Sequence, residues 1–212
     1  MLAAMDAVLH TGPLRGHHVE LVPLERSFAD ELALASSGDR SSFRWTEVPN
    51  GLAATARYID NLLAQRDRGE SVPFAQRHLA SGRLVGCTRF MDLRRWFGHA
   101  EPEEVEIGGT WLNADVQRTP VNTEAKLLLF THAFEVWRVR RVALSTDERN
   151  ERSRRAIERI GASFEGVLRH HRPSKVAGEQ GQLRNSAMFA VVDDDWPAVA
   201  AHLRARLTHP PE

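Results

Sequence analysis

Residues 106–137 run from a strand (EIGGTWLN) through a short loop (ADVQRTPV) into a strongly apolar helix (NTEAKLLLFTHAFEVW). A loop that opens a helix leaves several backbone N–H groups without partners inside that helix. The positive end of the helix dipole adds to them, so the junction suits an anion. Arg118, Thr119 and Thr123 stand at the junction, and their cationic and hydroxyl side chains suit phosphate. The segment therefore requires a sheet that ends beside a helix start, and it predicts a grip on a phosphorylated ligand.

The remaining chain supplies that sheet. Residues 19–24 read as a first strand, and 26–36 and 53–68 carry helical periodicity, with Ala56, Ile59, Leu62 and Leu63 on one face. A turn-rich stretch with exposed-looking Phe43 and Trp45 separates the two helices. Strands over 72–80 and 83–93, joined at Ser81-Gly82, predict a hairpin, and 104–113 a following strand. The helix over 123–137 buries one clear face. Residues 141–146 read as a strand and 150–160 as a helix closed by Gly161. Two strands (162–171 and 184–192) and a helix (195–207) end the chain. Antiparallel strands followed by an alternating section predict a mixed α/β fold, one sheet flanked by helices.

Four blocks in this order resemble a known family. Gln117-Arg118-Thr119-Pro120-Val121-Asn122 is similar to the Gln/Arg-x-x-Gly-x-Gly/Ala cofactor motif of the GNAT superfamily of acyl-CoA-dependent N-acyltransferases, with Pro120 and Asn122 replacing the two small residues. The run from Asn150 through Ser153, Ala156 and Ile157 to Gly161 resembles that family's Asn-x-x-Ser helix. Phe164-Glu165-Gly166 with Arg169 resembles the next strand, and Asp194-Asp195-Trp196-Pro197 the opening of the last helix. Within the family, the likeness is to the RimJ/RimL type, the ribosomal-protein N-terminal acetyltransferases and their relatives. The resemblance implies a seven-stranded, mostly antiparallel sheet, splayed in the middle. It also implies acetyl transfer from acetyl-CoA to a primary amine in a ternary complex.

Several residues acquire expected roles from it. The diphosphate would rest on the N–H groups of Arg118, Thr119, Val121 and Asn122 with help from Thr123, in a loop begun by Gln117; Pro120, lacking an N–H, suits the first helical position. Asn150 is well placed as a helix N-cap and stands with Ser153 at the cofactor. Ser153 shares a helical face with Ala156, Ile157 and Ile160, where its hydroxyl needs a partner, the helix backbone being one choice. By the resemblance it protonates the departing thiolate. Strand alternation puts Glu106, Gly108, Thr110 and Leu112 on one face and Val105, Ile107 and Trp111 on the other. By resemblance Glu106 takes the amine's proton, directly or through water; a plain acidic strand entrance with Glu101, Glu103 and Glu104 is the alternative. Gly108-Gly109 mark an expected bulge, opening the strand so that a pantetheine arm pairs with backbone at Trp111, Leu112 and Asn113.

Composition narrows the classes further. At 212 residues the chain fits one domain, expected over 17–207, with a flexible leader at 1–16 and a tail at 208–212. Lys+Arg and Asp+Glu both number 28, which argues against a nucleic-acid or membrane-surface binder. Cys87 is the lone cysteine, so a reducing, cytoplasmic setting is the default. No metal is expected, because the ten histidines show no HExxH or Cys–His spacing. A homodimer would accord with the family. Two alternatives stay open at this stage: a non-catalytic acyl-CoA sensor, and another donor such as succinyl-CoA, which would need an arginine near the acyl end (Arg89, Arg169 and Arg184 lie on strands). Protein N-termini, amino acids, aminoglycoside-like compounds and polyamines are all open as acceptors.

Overall fold

The helices each carry an apolar stripe, and the strand Ser71–His78 and the first half of the strand Leu84–Arg94 are buried on both faces, so the sheet needs a helical layer on each side. The computed structural model describes residue 9 and residues 11–208. It contains strands β1 (Leu14–Arg15), β2 (Val19–Pro23), β3 (Ser71–His78), β4 (Leu84–Arg94), β5 (Glu104–Leu112), β6 (Arg141–Asp147), β7 (Ser163–Pro173) and β8 (Leu183–Val192). Helices are α1 (Ala29–Ala35), α2 (Leu52–Asp67), α3 (Pro120–Thr131), α4 (Glu151–Arg159) and α5 (Trp196–Thr208). The strand order is β1-β2-β3-β4-β5-β6-β8-β7, and only β5 and β6 run parallel.

Two buried clusters divide the sheet's faces. The larger contains Phe74, Phe90, Val105, Ile107, Leu129, Phe130, Val142, Phe189 and Leu203, and joins the sheet to α3 and α5. The smaller packs Leu32, Ile59, Leu62 and Leu63 of α1 and α2 against Ala75, Leu84, Cys87 and Trp111. Cys87 is thus a buried apolar filler, as its place beside Gly86 suggests. Phe43, expected to be exposed, is buried instead and meets the Trp111 ring edge-on at 6.1 Å.

Among the described residues the sheet has eight strands where seven were expected, because part of the expected leader forms β1. Residues 1–8 and 10, and 209–212 of the expected tail, lie outside the described residues. Leu14 and Arg15 pair with Leu21 and Glu20, and the turn after them is tied down from α3. The buried Glu124 carboxylate accepts the N–H groups of His17, His18 and Val19 at 2.8, 2.6 and 2.8 Å. Gly16 is needed there, since a Cβ would lie 2.3 Å from that carboxylate. Two residues are too short for periodicity to reveal, and the carboxylate that fixes the turn after them is 107 positions from His17.

The helix expected from residue 123 begins earlier, at Pro120, whose fixed φ suits the first turn. It closes with a π turn over His132–Val136, where the Trp137 N–H reaches back five residues to the His132 carbonyl at 3.1 Å.

Candidate active site

β5 and β6 pair over only three positions: Glu104 with Arg141, Val105 with Val142, and Glu106 with Ala143. Beyond Glu106 the strands part, β5 running on to Leu112 and β6 to Asp147, so the sheet opens into a wedge. A bulge on β5 starts the divergence. Cys87 faces Trp111 and Arg89 faces Gly108, so three steps on β5 match two on β4. Gly109 takes the extra step at φ +59°, with the Arg89 side chain 3.1 Å from where a Cβ would stand. This is the bulge expected at Gly108-Gly109. It also reverses the alternation: Val105 and Ile107 join the larger cluster but Trp111 the smaller, while Leu112 crosses to the larger. The single face drawn through Glu106, Thr110 and Leu112 is therefore broken at the bulge.

The far end of β5 is prepared for an extended partner. The Asn113 N–H bonds to Val85 of β4 at 2.8 Å, and alternation then turns the Leu112 N–H toward the wedge. The Leu112 carbonyl accepts from Gln117 Nε2 at 2.8 Å. Asn113 Oδ1 is buried with no partner, an acceptor fit for an amide N–H of an arm lying in the wedge.

The loop that follows is held in place by side chains. Gln117 binds Ser42 Oγ at 2.9 Å through Nε2 and receives Arg152 of α4 at 3.0 Å on Oε1, bracing the loop from three sides. Arg118 is exposed and adopts φ +63°. Thr119 is the N-cap of α3: its hydroxyl donates to the Val116 carbonyl at 2.7 Å and accepts the Val121 N–H at 3.4 Å, a long bond. Val121 is a core residue, whereas Asn122 and Thr123 are half-buried. The first-turn amides of Thr119 and Asn122 have no partners inside the helix, that of Val121 has only the long bond to its cap, and Pro120 has no amide to leave unpaired. On α4, Asn150 Oδ1 caps the Ser153 N–H at 3.1 Å, and the Ser153 side chain is half-buried.

Glu106 stands apart from that set, on the wedge's inner edge. It is 4% exposed, and accepts from Ser145 Oγ of β6 at 2.9 Å and from Arg172 of β7 at 2.6 and 3.3 Å. Arg172 also holds Asp92 of β4. Burial pushes the Glu106 carboxyl above the usual carboxylate range; Arg172 and Ser145 pull it down, Asp92 pushes it up, and the rise prevails. A carboxylate raised in this way is a stronger proton acceptor than a free one. Its partners Ser145, Arg172 and Asp92 were not legible, since they sit on three other strands with no motif between them. Lys126, on the opposite face, is buried and bonds Thr110 Oγ1 at 2.8 Å, and Thr110 meets Thr88 at 2.8 Å.

A sheet wedged open between two parallel strands, with a capped helix start beyond β5, can hold an extended ligand ending in phosphates, as the resemblance to acyl-coenzyme A-dependent transferases implies. Comparison with known proteins makes the assignment specific. Residues 18–163 match the acetyltransferase (GNAT) domain family. The chain is 30% identical to a GCN5-related N-acetyltransferase from Brucella melitensis, with a TM-score of 0.81 over 94% of this chain and 86% of the other. Two more distant structures share the fold: Mycobacterium smegmatis RimJ in complex with CoA-disulfide, at 20% identity, TM-score 0.73 and 92% of both chains, and the ribosomal-protein-S5-alanine acetyltransferase of Vibrio fischeri, at 14% identity, TM-score 0.67, 88% of this chain and 99% of that one. No curated protein matched the sequence significantly. The chain belongs to the GNAT acetyltransferase family, and its reaction is acetyl transfer from acetyl-CoA to an amine. Among the described residues, no helix is long and apolar enough to cross a membrane.

Proposed function

We propose that acetyl transfer takes place in the wedge between β5 and β6, directly from acetyl-CoA to a primary amine, with Glu106 as base and Ser153 as acid. The observation that carries this reading is a buried carboxylate on the wedge's edge, in a strand followed at its far end by the orphaned amide oxygen of Asn113. The amides of Thr119, Val121 and Asn122, with the side chains of Arg118 and Thr123, hold the diphosphate at the α3 start. Asn113 Oδ1 accepts a pantetheine amide, and the Leu112 N–H donates toward the thioester carbonyl as charge builds on its oxygen. Gln117 keeps the loop in register by joining β5, α4 and the Ser42 turn. Asn150 orients the start of α4 and so the Ser153 hydroxyl.

An α-amino group titrates near 8 and a lysine near 10.4, so either amine must lose a proton to react at neutral pH. Glu106 takes that proton, directly or through one water, as the nitrogen bonds to the carbonyl carbon. The C–S bond then breaks, Ser153 gives its proton to the thiolate, and the second proton shed by the nitrogen as the amide forms restores the serine hydroxyl through water. A covalent acyl-enzyme is disfavoured because burial raises the Cys87 thiol far above its ordinary pKa, leaving no thiolate to attack. A buried, reduced lone cysteine also accords with a cytoplasmic setting, which we assign on that ground.

Glu106→Gln should lower kcat by about 10²- to 10⁴-fold with unaltered KM for acetyl-CoA, and Ser153→Ala should lower it less. Melting curves identify variants that have simply lost the fold. Unchanged kcat in both folded variants across the pH range would remove these two assignments.

A further inference from the structure

Three arginines gather on the Glu106 face, and one of them is left over. Arg172 is spent on Glu106 and Asp92, and Arg149 on Asp147 and Glu179 at 2.8 and 2.8 Å. Arg184 on β8, the cross-strand neighbour of Arg172, feels the charges of Asp147 and Glu106, but both are already bonded to other arginines. Its Nε is buried with no partner. Two more orphaned polar atoms belong to neighbouring positions of β7 and β8. Ser186 Oγ is fully buried on the same face of β8, directly across from Asp147. His171 Nδ1, next to Arg172, is buried within the fields of Arg172, Arg184 and Asp92. Burial and the like charge of Arg172 hold the Arg184 guanidinium below its ordinary pKa, and the charges of Asp147 and Glu106 offset them only in part.

Buried donors left unbonded are costly, and a native fold keeps them where a ligand completes them. The set consists of a guanidinium, a hydroxyl and an imidazole beside the proposed base, which is a complement for a planar anion. We propose that Arg184, with Ser186 and His171, forms a carboxylate-binding subsite next to Glu106, so that one of the two reactants carries a carboxylate. This rests on the reading of Glu106 as the amine's base. An amino-acid-like acceptor would place its amine at Glu106 and its carboxylate on Arg184. A dicarboxylic acyl donor would place its distal carboxylate there instead.

The test pairs amino acids with their amides as acceptors for acetyl-CoA, and sets succinyl-CoA against acetyl-CoA with a neutral amine. If the acceptor bears the charge, the acid should exceed its amide in kcat/KM by about 10- to 100-fold, mostly through KM, and Arg184→Gln should erase the ratio while Arg184→Lys keeps part of it. If the donor bears it, succinyl-CoA should lead and Arg184→Gln should erase that lead. No preference in either arm, or a preference that survives Arg184→Gln, overturns the subsite. A binding arm separates the two proposals: thermal shifts with N-acetylglycine against N-acetylglycinamide, and with succinyl-CoA against acetyl-CoA, in wild type and Arg184→Gln. A carboxylate-dependent shift lost in the variant supports the subsite even without turnover, and the missing turnover then counts against the Glu106 reading. Equal shifts throughout overturn the subsite whatever the turnover.

Discussion

Two buried ionisable side chains, Glu106 and Lys126, flank β5 on opposite faces, and burial acts on them in opposite directions. It raises the Glu106 carboxyl, so the basic form is reached only above the usual carboxylate range, and kcat/KM should rise with pH through that higher value. Arg172 opposes the rise. Arg172→Gln should therefore move this acidic limb of the profile to higher pH, and a limb that stays in place would separate Arg172 from the base. Lys126 is held down to about 7 by burial, with one hydroxyl as its bonding partner. Its folded pKa lies below its unfolded one, so between them the unfolded chain binds more protons and stability grows with pH. The growth should run from about pH 7 to pH 10.5 in the wild type. Lys126→Met should flatten that slope and raise Tm at neutral pH; a variant that melts lower at pH 7 and keeps the slope would contradict it.

At the scale of elements, most of the fold was legible and the site only partly so. Periodicity located the helices to within a few residues because each buries one face, and turn residues bounded the strands, β3 buried on both faces and β7 on neither. The glycine pair foretold the bulge because only a residue tolerant of positive φ can supply it beside Arg89. The same bulge defeated the face assignment of Trp111, since alternation holds only while the ladder keeps its register. Strand β1 escaped for another reason: it is specified from α3, by Glu124 reaching amides distant in sequence. Removing that carboxylate should matter accordingly. Glu124→Ala leaves the N–H groups of His17, His18 and Val19 short of acceptors, and should cost about 2–4 kcal/mol in denaturant unfolding. A loss below about 0.5 kcal/mol would mean water replaces the carboxylate and β1 adds little to the fold. Arg172 and Arg184 went unread in the same way, as residues of β7 and β8 that matter through what they meet across the sheet.

Across the whole molecule, the wedge is a seam between two half-sheets. β1 to β5 form one half and β6, β8 and β7 the other, joined in the sheet by three residue pairs and beneath it by the larger core. On the proposed reading, a ligand laid along Leu112 and Asn113 with its diphosphate at the start of α3 would complete polar groups along the parting strands, the orphaned Asn113 Oδ1 among them. Binding energy then adds to folding energy by mass action: acetyl-CoA at about 100 times its Kd contributes roughly 2.7 kcal/mol, which should raise Tm by about 5–10 °C. The protection should also be local. Hydrogen exchange should slow most at Leu112 and in the first turn of α3, and little in β2 and β3, whose ladder is already complete. A Tm rise with uniform slowing would place the cofactor elsewhere, and no rise with acetyl-CoA or CoA would mean that Pro120 and Asn122, standing where the family has small residues, have closed the diphosphate site.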